Sequence, residues 1–204
     1  MKKVINIFPF IGLMVGSFMS CKPAEEQPTA YIEHIRKEPA LNKTVVVGEI
    51  RYTFHFLTPE AVSLQYSLNV DGSFDAQKYK KRFEELKDNI YINIDHRLNN
   101  SEEPVLKYQL TGPGQYEQRV MYYEFEAKRD MKAICNGVEL NSVNYLYENH
   151  LGLSPYNTIM VGFPKCEGSS DLQILFSDRA FNNLFIKVNF NKEDIDQLPR
   201  LVLN

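Results

Sequence analysis

The sequence predicts a mainly β protein, a single β-sandwich-like domain carrying one amphipathic helix at 75–87. Three observations carry this expectation. Apolar and polar residues alternate with a period of two in one segment after another, as at Ile50, Tyr52, Phe54 and Phe56. Turn signals such as Asp71-Gly72 and Asn136-Gly137 punctuate the chain. The three-four spacing of an amphipathic helix is clear in one place, at Ala76, Tyr79, Phe83 and Leu86. The abundance of Tyr and Phe, 12 and 13 of 204 residues, favours strands as well.

The chain opens with Lys2 and Lys3, followed by an uncharged apolar run over 4–19. That run is shorter than the ~20 residues a spanning helix needs. Pro9, Gly12 and Gly16 interrupt it, and no basic flank stops it. This is the pattern of a cleaved export signal. The run closes on Ser17, Phe18, Met19, Ser20 and Cys21, and the chain then turns polar. These residues resemble the lipobox of bacterial lipoproteins. The resemblance covers 1–21 and implies cleavage between Ser20 and Cys21. It also implies a diacylglycerol thioether and an acylated amino group on Cys21. The membrane is then a partner through that lipid, since stable anchoring takes two or more acyl chains.

The expected organisation is a signal peptide at 1–20, a lipidated N-terminus with tether and short helix at 21–43, and a globular β domain at 44–204. Residues 22–30 are polar and hold two prolines, which suits a tether. Nine such residues reach at most ~30 Å. Lys22, Glu25 and Glu26 resemble the lysine-and-acid surface-export signal of Bacteroidota-type lipoproteins; a plain solvated linker accounts for them equally well. Residues 31–37 suit a short helix, with Ile32 and Ile35 on one face.

Residues 44–57 give the clearest strand, with Glu49, Arg51, Thr53 and His55 facing water. His55 is therefore expected on the wet face as a surface histidine. Residues 59–66 suit a helical turn. Asp75 is a good N-cap for the 75–87 helix, with Phe74 and Tyr79 spaced as a hydrophobic staple. Further strands are expected at 90–95, 105–110, 118–127, 143–147, 158–163, 172–176 and 184–190, with a hairpin at 132–140 around Asn136-Gly137. About nine strands with short turns close most naturally into a β-sandwich. Residues 192–198 suit a turn of helix before Pro199.

Loss of 1–20 removes two lysines and no acid, so the formal charge moves from −3 to −5. An acidic chain excludes nucleic acid as a natural partner. No nucleophile elbow, zinc motif, paired-cysteine motif or phosphate loop occurs. Asn69, Asp71 and Asp75 form only a fragment of a calcium loop. Glu102 and Glu103 lack a second carboxylate for glycosidase work. Asp95 and His96 are neighbours and must face opposite sides of a strand. No catalytic residue, cofactor or metal is expected.

Beyond Cys21 the chain holds two cysteines, Cys135 and Cys166. They form a disulfide or stay buried as free thiols. The expected role is non-enzymatic: a lipid-anchored outer-membrane or cell-surface protein that binds a protein or glycan or joins an envelope assembly. The alternatives are a lipid-anchored hydrolase with a site built from distant residues, and a periplasm-facing accessory of a secretion machine. Convergent histidines and carboxylates in a pocket would favour the hydrolase.

Overall fold

The computed structural model describes residues 24–69, 73–166 and 171–203. Ser20 and Cys21 lie outside the described residues. In chain order the elements are β1 (Glu25–Glu26), α1 (Pro28–Lys37), β2 (Asn42–Val47), β3 (Ile50–Leu57), α2 (Pro59–Ser67), α3 (Ala76–Leu86) and β4 (Asn89–Leu98). They continue with α4 (Gln115–Met121), β5 (Met131–Cys135), β6 (Val138–Asn141), β7 (Asn144–Glu148), β8 (Tyr156–Pro164), β9 (Leu172–Asp178), β10 (Asn183–Phe190), α5 (Lys192–Asp196) and β11 (Arg200–Leu201).

The expected mainly β sandwich is present. Two antiparallel sheets face each other, one ordered β2-β3-β4-β8-β7 and the other β10-β9-β5-β6. Side chains from both fill the space between them. Tyr52 meets Phe176 edge-on at 6.1 Å, and Phe56 meets Phe190 at 5.6 Å. The alternation at 50–56 does what its period dictates: Ile50, Tyr52, Phe54 and Phe56 are buried, while Arg51, Thr53 and His55 are only partly covered. The Asn136-Gly137 turn joins β5 to β6 with φ of 53° and 75°, the left-handed pair that a type I′ turn requires. Cys135 and Cys166 are disulfide-bonded, with a Cα separation of 5.9 Å. Since Cys135 ends β5 and Cys166 follows β8, the bond ties one sheet to the other.

Among the helices, α3 matches its expected range, with Asp75 accepting from the Lys78 amide at 2.9 Å. The Phe74–Tyr79 staple brings the two rings to 5.8 Å. Its Phe83 is packed but only half-buried. The expectation of one helix needs enlarging. In α2, six of nine residues are buried: Pro59, Ala61, Val62, Ser63, Leu64 and Ser67. A helix covered on nearly every side shows no amphipathic stripe.

The single strand expected at 44–57 is a hairpin, β2 and β3 turning at Gly48-Glu49, and two other expected strands are not strands. Residues 118–127 fall in α4, a π-helical turn at Tyr122–Glu126 and a 3-10 turn at Ala127–Asp130. Met121 and Phe125, half of the alternating set, are exposed. The buried residues are Arg119, Tyr122, Tyr123 and Ala127, at three-four spacing. The segment carries both periods, and packing selected the helical one. Residues 105–110 form a 3-10 turn at Val105–Lys107, after which Gln109 adopts φ 47° and breaks any extension.

The N-terminal boundary also differs. Glu25 and Glu26 pair in parallel with Arg200 and Leu201, and α1 buries Tyr31, Ile32 and Ile35. The folded unit therefore takes in the segment expected as tether and begins by Glu25 rather than near Thr44. The pairing partner lies at the other end of the chain, beyond the reach of any local pattern.

Candidate binding cleft

A cleft of about 600 Å³ lies over the outer face of the five-stranded sheet. Its floor is made by side chains one face away from the core. These are Asn42 on β2, His55 on β3, Asn93 and Asp95 on β4, and Thr158 and Met160 on β8. Helix α1 supplies Ile32, Ile35 and Arg36 as one wall, and α2 supplies Gln65 and Tyr66. Glu148, His150 and Tyr156, at the β7–β8 connection, close another side. That connection is held by Lys107, whose Nζ donates to the Gly152 carbonyl at 3.3 Å. Gly152 sits at φ 67°, in the left-handed region that favours glycine.

Four floor residues bond to one another. The Asn42 amide nitrogen donates to the carbonyls of Glu38, at 2.6 Å, and Arg36, at 3.2 Å, at the end of α1. This turns its oxygen to His55 Nδ1, with which it is hydrogen-bonded. His55 Nε2 lies 3.3 Å from Asp95 Oδ2, and Thr158 Oγ1 donates to Asp95 Oδ1 at 2.7 Å. Burial pushes the Asp95 carboxyl up, but the hydrogen bonds from His55 and Thr158 outweigh it and leave the group below the usual range. His55 does face away from the sandwich core, yet it is a fixed, partly covered ring and not a free surface histidine.

Other polar groups in the cleft are unspent. Arg36, Gln65, Asn93 and Glu148 line it, and none makes a side-chain hydrogen bond or ion pair within the described residues. The Nε2 of His150 is enclosed without a partner. Its ring stands edge-on to Tyr156 at 5.4 Å. Arg82 covers one ring face of Tyr66 at 4.5 Å. Arg36 is set against the carboxylates of Asp95 and Glu148, so the lining has no strong excess of positive charge.

A second polar cluster is sealed between the sheets. Asp178 accepts from Tyr52 at 2.6 Å, Tyr123 at 2.7 Å and the Ala180 amide at 3.1 Å. Burial pushes its carboxyl up to about 6, against the pull of those bonds. His96 lies tilted against Tyr123, ring centroids 4.7 Å apart, is fully buried, and has neither ring nitrogen bonded. Burial pushes its imidazole down to about 4, opposed by the charge of Asp95. As the sequence requires, Asp95 and His96 face opposite sides of β4.

The remaining flagged residues do not converge. Asp75 is a helix cap, and Asn69 bonds Ser73. Glu102 and Glu103 are exposed in a loop. Gly114 starts α4 at φ 81°. Among the described residues no three His, Cys, Asp or Glu side chains are placed to hold a metal. Sequence reasoning missed Asn42, Asp95 and His150 as neighbours of His55. The one local hint was that Thr53, His55, Asn93 and Asp95 share the wet parity of adjacent strands.

No protein-family model matches this chain, and no curated protein matches it. Among solved structures it is similar to a DUF4426 family protein from Pseudomonas aeruginosa PAO1. The identity is 10%, the match covers 73% of this chain and 92% of that one, and the TM-score is 0.37.

Proposed function

We propose that this protein is a lipid-anchored outer-membrane lipoprotein, mature from Cys21, that binds a short neutral glycan in the sheet-face cleft without chemistry. The observation that carries the binding role is the division of labour inside the cleft. The His55–Asp95 pair is consumed by Asn42 and Thr158, while planar polar groups at Arg36, Gln65, Asn93 and Glu148 are left over beside Tyr66 and Tyr156. Such groups bond hydroxyls, and aromatic rings take the apolar faces of sugars. The volume lies within the ordinary range for ligand sites, ~300–1,000 Å³. Carboxylates at Asp95 and Glu148 disfavour an anionic ligand.

The hydrolase reading has one observation on its side, the convergence of two histidines and two carboxylates. Against it, both nitrogens of His55 are engaged, one by Asn42 and the other by Asp95, so neither is turned toward a ligand in the cleft. Among the described residues no serine or cysteine lines the cleft as a nucleophile.

Titration of the protein with chitobiose, cellobiose and maltotriose, followed by NMR shifts, tests the binding role. Tyr156→Ala and Asn93→Ala should each weaken binding at least about tenfold, or ~1.4 kcal/mol. Absence of binding to all three sugars, or binding by both variants as tight as by the wild type, rejects the glycan in this cleft. Turnover of ester or glycoside probes that vanishes in His55→Ala would establish the hydrolase instead. Mass spectrometry of the mature N-terminus tests the anchor: an unmodified Cys21 removes it. Protease shaving of intact cells separates the surface from the periplasmic face.

A further inference from the structure

Ala24 is bound into the fold. Its carbonyl accepts from the Arg200 amide at 2.7 Å, and that of Glu26 accepts from the Val202 amide at 2.9 Å. Three residue steps separate Ala24 from Cys21. The link therefore spans at most about 11 Å. A domain of about 180 residues has a radius of gyration of roughly 16 Å. Since the domain is wider than the link is long, it cannot swing far from the membrane, and the surface around Ala24 stays within about 11 Å of the acylated residue.

The chemistry of that surface is defined. β11 borders a groove of about 470 Å³ between the C-terminal segment and α3, where Tyr79, Phe83, Ile195, Leu198, Leu201 and Leu203 supply apolar surface. Leu203 is 42% exposed, high for a residue on a groove wall. On α3, Lys78 and Lys80 lie about 100° to either side of Tyr79 and so border the apolar stripe, while Lys81 lies on the opposite face; all three are exposed and have no partner among the described residues. Arg82 and Lys87 are paired with Glu85 and Glu84. The acids nearby are Glu60 on the groove wall and Glu193, Asp194 and Asp196 on α5; Asp194 is bonded by Asn191 and Asp196 by Lys192.

We infer that the face formed by α3 and the C-terminal segment rests on the bilayer that receives the acyl chains of Cys21. The inference rests on the lipid-anchor reading. Apolar side chains flanked by unpaired amines are the composition of an interfacial contact. The lipid supplies the anchoring and the lysines the orientation. Helix α1 stands between this groove, which Tyr31 lines, and the ligand cleft, which Ile32 and Ile35 line. The cleft is thereby left open to solvent.

Lysine acetylation of the acylated full chain, read by mass spectrometry, tests this. Labelling is compared between phosphatidylethanolamine–phosphatidylglycerol vesicles and detergent micelles. Lys78 and Lys80 should label several-fold more slowly on vesicles, with Lys81, Lys128 and Lys187 unchanged. A flexible spacer of Gly and Ser inserted before Ala24 should abolish that protection while acylation and co-flotation persist. Even labelling over all five lysines in the acylated protein overturns the inference and leaves the anchor standing. Protection that survives the spacer overturns the role of the short link. A chain that carries no acyl group and does not float overturns the anchor reading and the inference together.

Discussion

His96 and Asp178 sit near the same two tyrosines, and their protonation pulls stability in opposite directions. Asp178 has an ordinary value of 3.8 and is pushed up to about 6 in the fold. Its contribution is fully present below about pH 4 and is lost as pH rises through 6. His96 moves from 6.5 down to about 4. Its contribution is fully present above pH 6.5 and is lost as pH falls through 4. Each shift of about two units corresponds to roughly 3 kcal/mol. The two slopes largely cancel between pH 4 and 6.5. Asp178→Asn should therefore lose melting temperature relative to the wild type as pH falls from 6.5 to 4. His96→Phe should gain relative to it over the same interval. Thermal melts at a series of pH values check this, and constant offsets for both variants would contradict it. Neither residue's role could be read from the sequence, where His96 lies in the polar run Asp95-His96-Arg97 and Asp178 in Ser177-Asp178-Arg179.

At the scale of elements, two N-caps of similar chemistry differ in their surroundings. Asp75 caps α3 in the open. Thr58 caps α2 by accepting from the Ala61 amide at 3.1 Å, and it also bonds the Tyr31 hydroxyl at 2.8 Å inside the protein. Removing an exposed cap costs about 1 kcal/mol. Removing Thr58 adds the cost of an unpaired buried hydroxyl, about 1–3 kcal/mol. Thr58→Ala should thus destabilise more than Asp75→Ala in urea unfolding. Adding Tyr31→Phe to Thr58→Ala should cost less than the separate effects combined; strict additivity would mean that the Tyr31–Thr58 bond contributes nothing. Helix legibility follows the same divide. α3 was legible because one of its faces meets water. α2 was not, because almost none does. The 118–127 segment carries both the strand and the helix period, and its Tyr123 and Ala127 are buried only because the neighbouring strands pack there.

Over the whole molecule, the Cys135–Cys166 bond closes a loop with a sequence separation of 31 and joins the two sheets. In the chain-entropy account it contributes about 3–4 kcal/mol. Replacing both cysteines with serine should lower Tm on the order of 10 °C. The secondary structure seen by circular dichroism should stay unchanged. An unaltered Tm would mean that the packing of Tyr52 on Phe176 and Phe56 on Phe190 already holds the sheets together. The pairing of β1 with β11 works over a similar range, since it closes the chain's two ends against each other.

The sequence by itself determined most of the sheet-forming segments, the parity of their faces, the 136–137 turn and the solvent-facing helix α3. All of these depend on neighbours within a few residues, where periodicity and turn chemistry act. It also determined which residues stand at the expected lipidation point, Ser20 and Cys21. Only the tertiary structure decided that Asn42, His55, Asp95, Thr158 and His150 share one cleft, because antiparallel registry sets those neighbours and no local period encodes it. The same holds for the N-terminal tether. Its composition allows a reach of tens of ångströms, and two backbone hydrogen bonds to the far C-terminus take most of that reach away.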